Sequence, residues 1–117
     1  MQSSSIACLP MMTRSAPSFS TTRFSTLATP SGSTAYSLSA GGPILETSLE
    51  AVVVTPICPQ GLSNRPLVLP SGVELTLTLL TPSGNPTLAI DGHAFHRLTG
   101  GDSVTLRRHP VPVPLLW

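Results

Sequence analysis

The stretch VELTLTLL, Val73 to Leu80, alternates strictly, with Val73, Leu75, Leu77 and Leu79 on one side and Glu74, Thr76 and Thr78 on the other. A period of two is that of a β-strand, whose successive side chains point to opposite faces, so one side is expected to pack and the other to meet water. Outward from it the same character persists. Towards the C-terminus, TLAIDG (87–92) and SVTLRR (103–108) read as further short strands, with LTGGDS (98–103) as a turn of hairpin type before the last. Towards the N-terminus, AVVVTPI (Ala51 to Ile57) is a continuous apolar, β-branched run suited to a strand covered on both faces, and Pro56 predicts that its end is an edge or a bend. HPVPVPLLW (109–117) carries three prolines and is expected to run extended on a surface or to be loose. These elements predict a mainly β fold: an antiparallel, sandwich-like partial domain.

One short helix is expected within it. Ser33 or Thr34 offers a hydroxyl to a first turn, Ala35 to Ala40 contains adequate helix formers, and Gly41, Gly42 and Pro43 end the segment. Residues 1–26 have a different composition, with eleven Ser or Thr, two Arg and no acid. They read as a leader, either disordered or transit-like, which leaves two locations open: cytoplasmic, or an organelle if the leader is a targeting segment. The folded unit is expected over 27–117.

Composition narrows the function. With 117 residues the chain has room for one modest core. Only 9% of residues are charged and the net charge is +1, which offers no footprint for nucleic acid and no polybasic face for a membrane. No apolar run approaches the ~18 residues of a membrane span, so the chain reads as soluble. All six basic residues are arginines, which excludes a Walker-type phosphate lysine, a Schiff-base lysine and a Ser-x-x-Lys pair. Cys8 and Cys58 lie in unlike surroundings, and Cys58, between Pro56 and Pro59, reads as a small buried apolar residue.

The predicted helix belongs to TPSGSTAYSLSAGGPI (Thr29 to Ile44), which holds six Ser or Thr, three Gly and two prolines without a charge. Backbone N–H groups at a helix start and nearby hydroxyls form a neutral surface that recognises amide, ribose and adenine edges without burying a charge. A capped loop is the other reading of these residues alone.

Three ordered motifs change the weighing. TPSGSTAYSLSAGGPI, then TPICPQGLSNRPLVLP (55–70), then IDGHAF (90–95), closely resemble the C-terminal half of the NAD kinase family, over about Leu27 to Arg108. The resemblance implies much of the all-β domain of an enzyme that uses ATP and a divalent metal such as Mg²⁺ to phosphorylate the adenosine-ribose 2′-hydroxyl of NAD, giving NADP. It implies an NAD-binding set of Thr34, Ala35, Tyr36, Ser37, Leu38 and Ser39, with Ser31 in the preceding turn. His93 falls where the family commonly places a polar residue near the dinucleotide, a plain turn histidine being the alternative. Arg65 is left outside the set. Implied partners are NAD and ATP, and a homo-oligomer or assembly with a full-length kinase.

Two departures qualify the activity. The GGDGT motif and the Asn-Glu pair that the family carries in its N-terminal α/β half do not occur in this sequence, so no catalytic residue and no metal ligand are assigned. TGGDSV (99–104) reads as turn chemistry with Asp102 as a turn residue, and Arg23 and Phe24 stand where the family has Asp-Gly. The α/β half is therefore read as absent, and little or no kinase activity is expected of this chain alone; the alternative function is a non-catalytic NAD-binding or oligomer-assembly module.

Overall fold

The computed structural model describes residues 5–8, 12–13, 24–57, 65–79 and 87–111. Nine strands lie among them: β1 (Ser5–Cys8), β2 (Met12–Thr13), β3 (Phe24–Ala28), β4 (Ala51–Ile57), β5 (Leu67–Pro70), β6 (Leu75–Thr78), β7 (Thr87–Ile90), β8 (Ala94–Arg97) and β9 (Ser103–Leu106), with one helical turn over Ser33–Ser37. They form a six-stranded sheet in the order β5-β4-β3-β1-β7-β8 and a three-stranded sheet in the order β2-β6-β9. Each strand pair is antiparallel, as expected from the short strands and turn signals.

The alternation that opens the sequence reading is realised in β6 and its flanks. Leu75, Leu77 and Leu79 are buried while Glu74 is exposed. On the outer face the Thr78 and Ser103 hydroxyls pair at 3.1 Å across the β6–β9 ladder. Leu77 and Leu88 form the inter-sheet core with Ile90, Leu98, Val104 and Leu106 packed against them. A second cluster, Ala28, Leu45 and Val53, ties β3 and β4 to the loop that follows the helical turn.

Within β4, Val53 and Thr55 are completely buried. β5 is in register only with Ala51 to Val54, whereas β3 runs beside β4 as far as Ile57. Pro56, which has no N–H to give, thus sits opposite Ser25 beyond the end of the β5 pairing, where an edge was expected.

Three features depart from the sequence reading. Within residues 1–26, Ser5–Cys8 and Met12–Thr13 are paired strands, β1 between β3 and β7 and β2 beside β6. Ladder bonds are made by main-chain groups, so a hydroxyl-rich segment completes a sheet as readily as an apolar one, and composition gives no sign of it. Secondly, 98–103 is not a hairpin. β8 pairs with β7 and β9 with β6, so this connection carries the chain from one sheet to the other. Asp102 is nonetheless a turn residue: its carboxylate accepts from the Thr99 N–H at 2.7 Å and from the Thr99 hydroxyl at 3.1 Å. Thirdly, the segment after Asp91 is itself a strand, β8. Cys58 and the tail 112–117 lie outside the described residues.

Thr26 and Thr55 face each other across the β3–β4 ladder, and both are fully buried. Among the described residues the Thr55 hydroxyl has a partner and the Thr26 hydroxyl has none. A buried unpaired hydroxyl carries its desolvation cost without return, so Thr26→Val is expected to raise unfolding stability by about 1 kcal/mol, read by urea titration. A fall of that size would place a partner on Thr26.

Candidate functional site

The chain leaves β3 into a tight turn. The Thr29 hydroxyl accepts from the Gly32 N–H at 3.3 Å and lies 3.4 Å from the Ser31 hydroxyl. The helical segment begins at Ser33, and Gly32 caps it without a side-chain bond. The predicted hydroxyl cap is therefore not made. Ser33 turns inward instead, donating to the Pro30 carbonyl at 2.7 Å and accepting from the Leu45 N–H at 2.9 Å. This clips the two ends of the segment together. The helix begins earlier and is less regular than Ala35 to Ala40: Ser33–Ser37 has π-type spacing before Leu38 and Ser39 turn α-helical, and Ala35 is non-helical at φ −94°, ψ −125°.

The C-terminal stop follows the expected pattern. Gly41 takes the left-handed conformation at φ +86°, its N–H bonds to the Leu38 carbonyl at 2.9 Å, and the Gly42 N–H bonds to the Ser37 carbonyl at 2.8 Å. These two bonds and the left-handed glycine make a Schellman motif.

The side chains of the segment divide by face. Ser33 and Ser37, four residues apart, are both completely buried. The Ser37 and Thr55 hydroxyls share a hydrogen bond of 2.8 Å. Of the residues that the motif resemblance nominates, Thr34, Leu38 and Ser39 are exposed, Tyr36 is 63% exposed, and Ser31 and Ala35 are half-buried. Ser37 alone faces the core, so its hydroxyl fastens the segment rather than facing solvent.

His93, the one nominated residue outside the segment, is exposed on the β7–β8 turn. A Cβ built on Gly92 would lie 3.9 Å from the Tyr36 hydroxyl, so the structure brings Tyr36 over this turn. The His93 N–H bonds to the Ile90 carbonyl at 3.0 Å, with Asp91 at φ +50° and Gly92 at φ +72°. Two left-handed central residues make a type I′ turn, which favours Asp-Gly. Asp91→Val forces a β-branched residue into that region and is expected to cost about 1–2 kcal/mol, whereas Asp91→Asn stays near wild type. Thermal melts of the two variants read the difference; equal melts would remove the turn's conformational role.

No ionisable acid or base other than Tyr36 lies between Thr29 and Leu45. Glu46, just beyond, has its carboxyl held below the usual range first by the Ser48 hydroxyl and then by the Ser48 N–H. Its small contribution to stability is present above the unfolded-state pKa and is lost as pH falls through the lower folded value. A carboxyl titration by NMR with an unshifted midpoint would contradict this.

An open inter-sheet cavity of about 550 Å³ lies elsewhere. Leu27, Val52, Leu75 and Leu106 line it along with Arg107 and Arg108, and none of Thr34 to Ser39 does. Arg108 pairs with Glu50 at its rim. Among the described residues no three His, Cys, Asp or Glu side chains gather as a metal site.

Two features of the sequence bear on the buried face of the helical turn, and neither is read there as packing around Ser37. One is a threonine set among valines in β4, the other the second glycine of Gly41-Gly42. Together they enclose the Ser37 hydroxyl: a Cβ at Gly42 would fall 2.4 Å from it and 2.5 Å from the Thr55 hydroxyl.

The fold is an antiparallel two-sheet domain that carries a pinned, uncharged helical turn beside a type I′ turn. Comparison makes that specific. Residues 13–116 match the ATP-NAD kinase C-terminal domain, and the chain belongs to that family. It is 46% identical over 90 residues to the NAD kinase of Desulfatibacillum aliphaticivorans, covering 77% of this chain and 32% of the relative. With the Methanosarcina barkeri NAD kinase it shares 46% identity over 85 residues, covering 73% and 31%. The chain thus spans about a third of the length of the curated relatives it matches. A crystal structure of yeast NADH kinase complexed with NADH superposes with a TM-score of 0.74 at 34% identity, covering 87% of this chain and 33% of that one. The NAD kinase of Archaeoglobus fulgidus in complex with ATP, 24% identical, superposes at 0.75 over 93% of this chain and 46% of its own, a likeness of fold.

Proposed function

We propose that this chain is the dinucleotide-binding β-domain of an NAD kinase, an enzyme that moves a phosphoryl group from ATP to the adenosine-ribose 2′-hydroxyl of NAD. The observation that carries the reading is the two-faced helical turn: Ser33 and Ser37 are committed inward, while Thr34, Tyr36 and Ser39 are presented outward beside the turn bearing His93. Those outward groups fit the ligand. Hydroxyls pair with ribose, amide and adenine edges, and the tyrosine ring offers a stacking face at little entropic cost. The relatives named NAD kinase and the NADH complex of the yeast enzyme support the same ligand class.

ATP as donor and a divalent metal such as Mg²⁺ belong to the proposal. The metal would neutralise phosphate charge when bound, and this chain's own residues contribute binding and orientation of the acceptor. Neither GGDGT nor an Asn-Glu pair occurs among the 117 residues. Purified chain is accordingly expected to bind NAD saturably by calorimetry and to form NADP only at background with NAD, ATP and Mg²⁺. No heat with NAD would refute the binding function, and robust NADP formation would refute the division of labour.

Assembly with a second copy or with a full-length kinase is part of the same reading. Val68 and Phe95 are exposed apolar residues on β5 and β8, the strands at the two ends of the six-stranded sheet. Sedimentation of the chain, alone and mixed with a full-length homologue, tests this; a strict monomer in both would contradict it.

A further inference from the structure

We infer that Thr55 and Gly42 are positioning residues: the buried Thr55 hydroxyl, packed against the bare Cα of Gly42, fixes Ser37 and thereby the direction in which Tyr36 is displayed. The functional consequence rests on the proposed dinucleotide reading; the geometry does not.

Thr55 stands in the centre of β4 with no solvent exposure, in a run where valine would fill the same volume. A hydroxyl there is desolvated and needs a partner. Its neighbour across the ladder, Thr26, has none among the described residues, so this strand pair does not satisfy a threonine automatically. Thr55 is satisfied by Ser37, eighteen residues earlier in the chain, at 2.8 Å. The main chain of Ser37 is held independently by the Gly42 N–H at 2.8 Å.

Gly42 is what permits both. Any Cβ at that position would lie 2.4 Å from the Ser37 hydroxyl, 2.5 Å from the Thr55 hydroxyl and 2.8 Å from the Ser37 carbonyl, closer than side chains pack. At the other end Ser33 is pinned by Leu45 and Pro30. Tyr36 therefore sits between two buried anchors. Its carbonyl also accepts the Ala40 N–H at 3.0 Å, so a slack Ser37 loosens the turn that carries the ring.

The test uses the 117-residue chain as wild type, Thr55→Val, Thr55→Ser and Ser37→Ala, with two readouts. Hydrogen exchange without ligand follows the amides of Ala40, Gly41 and Gly42; calorimetry follows NAD. Loss of one buried hydrogen bond is expected to raise exchange at those three amides about tenfold in Thr55→Val and Ser37→Ala, with β6 and β9 amides unchanged, and to weaken NAD binding about tenfold. Thr55→Ser, which keeps the hydroxyl, is expected to hold both within about threefold of wild type. Unchanged exchange at the three amides, or an equal rise throughout both sheets, overturns the inference. Should Thr55→Val not fold, Ser37→Ala decides from the other side of the bond. Should wild type not bind NAD, the dinucleotide reading fails by itself, and exchange still decides whether Thr55 holds the turn.

Discussion

Gly42→Ala is expected to destabilise the domain by about 2–3 kcal/mol, lowering its melting temperature by roughly 10–20 °C. The added methyl meets three atoms, two of them the hydroxyl oxygens of a buried hydrogen bond and the third a main-chain carbonyl. None is the mobile end of a long side chain, so relief requires parting β4 from the helical turn. Separation would also leave two buried hydroxyls unpaired. Two other glycines provide the scale. Gly41→Ala meets nothing within 4 Å but is forced to φ +86°, and its cost is about 1 kcal/mol. Gly72→Ala has open space and no such φ, and is expected within about 0.5 kcal/mol of wild type. Urea titrations of the three variants give the ranking; Gly42→Ala as stable as Gly72→Ala would show that the anchor does not exist.

Tyr36→Ala is expected to weaken NAD binding by roughly 10- to 100-fold with little change in stability. The ring is 63% exposed, so its removal takes little area from the core. Stacking of an aromatic side chain on a base is worth about 1–3 kcal/mol, which sets the range. Tyr36→Phe separates the two parts of the side chain: it keeps the face, and removes a hydroxyl that lies over Gly92, so a loss of about tenfold or less is expected. Calorimetric titration with NAD, beside thermal melts, distinguishes a ligand contact from a folding defect. An unaltered dissociation constant for Tyr36→Ala would remove the ring from the site.

Legibility of the fold in the sequence followed the range of the physics involved. The period of two in 73–80 is a local signal, and it predicted the buried faces of Leu75, Leu77 and Leu79. The Gly41-Gly42-Pro43 stop is local too, and the Schellman bonds realise it. β1 and β2 depend on ladder bonds to β3, β6 and β7, which no composition encodes. The role of 98–103 as a crossover was hidden because Gly-Gly-Asp serves any reversal, and only the pairing of β9 with β6 decides which sheet follows.

The arrangement of the candidate segment was half legible. Motif order pointed to Thr34 through Ser39, and spacing alone could have put Ser33 and Ser37 on one face. Which face is inward depends on Leu45 and Thr55, contacts 12 and 18 residues away. The approach of Tyr36 to the Asp91–His93 turn is longer in range still, spanning most of the domain.

The location of the ligand remains the central claim, and NAD titrated into isotopically labelled chain tests it most directly through amide chemical shifts. The predicted result is saturable change confined to Thr34 to Ser39 and Asp91 to His93. Changes clustered at Val52, Leu106 and Arg107, in the inter-sheet cavity, would contradict it.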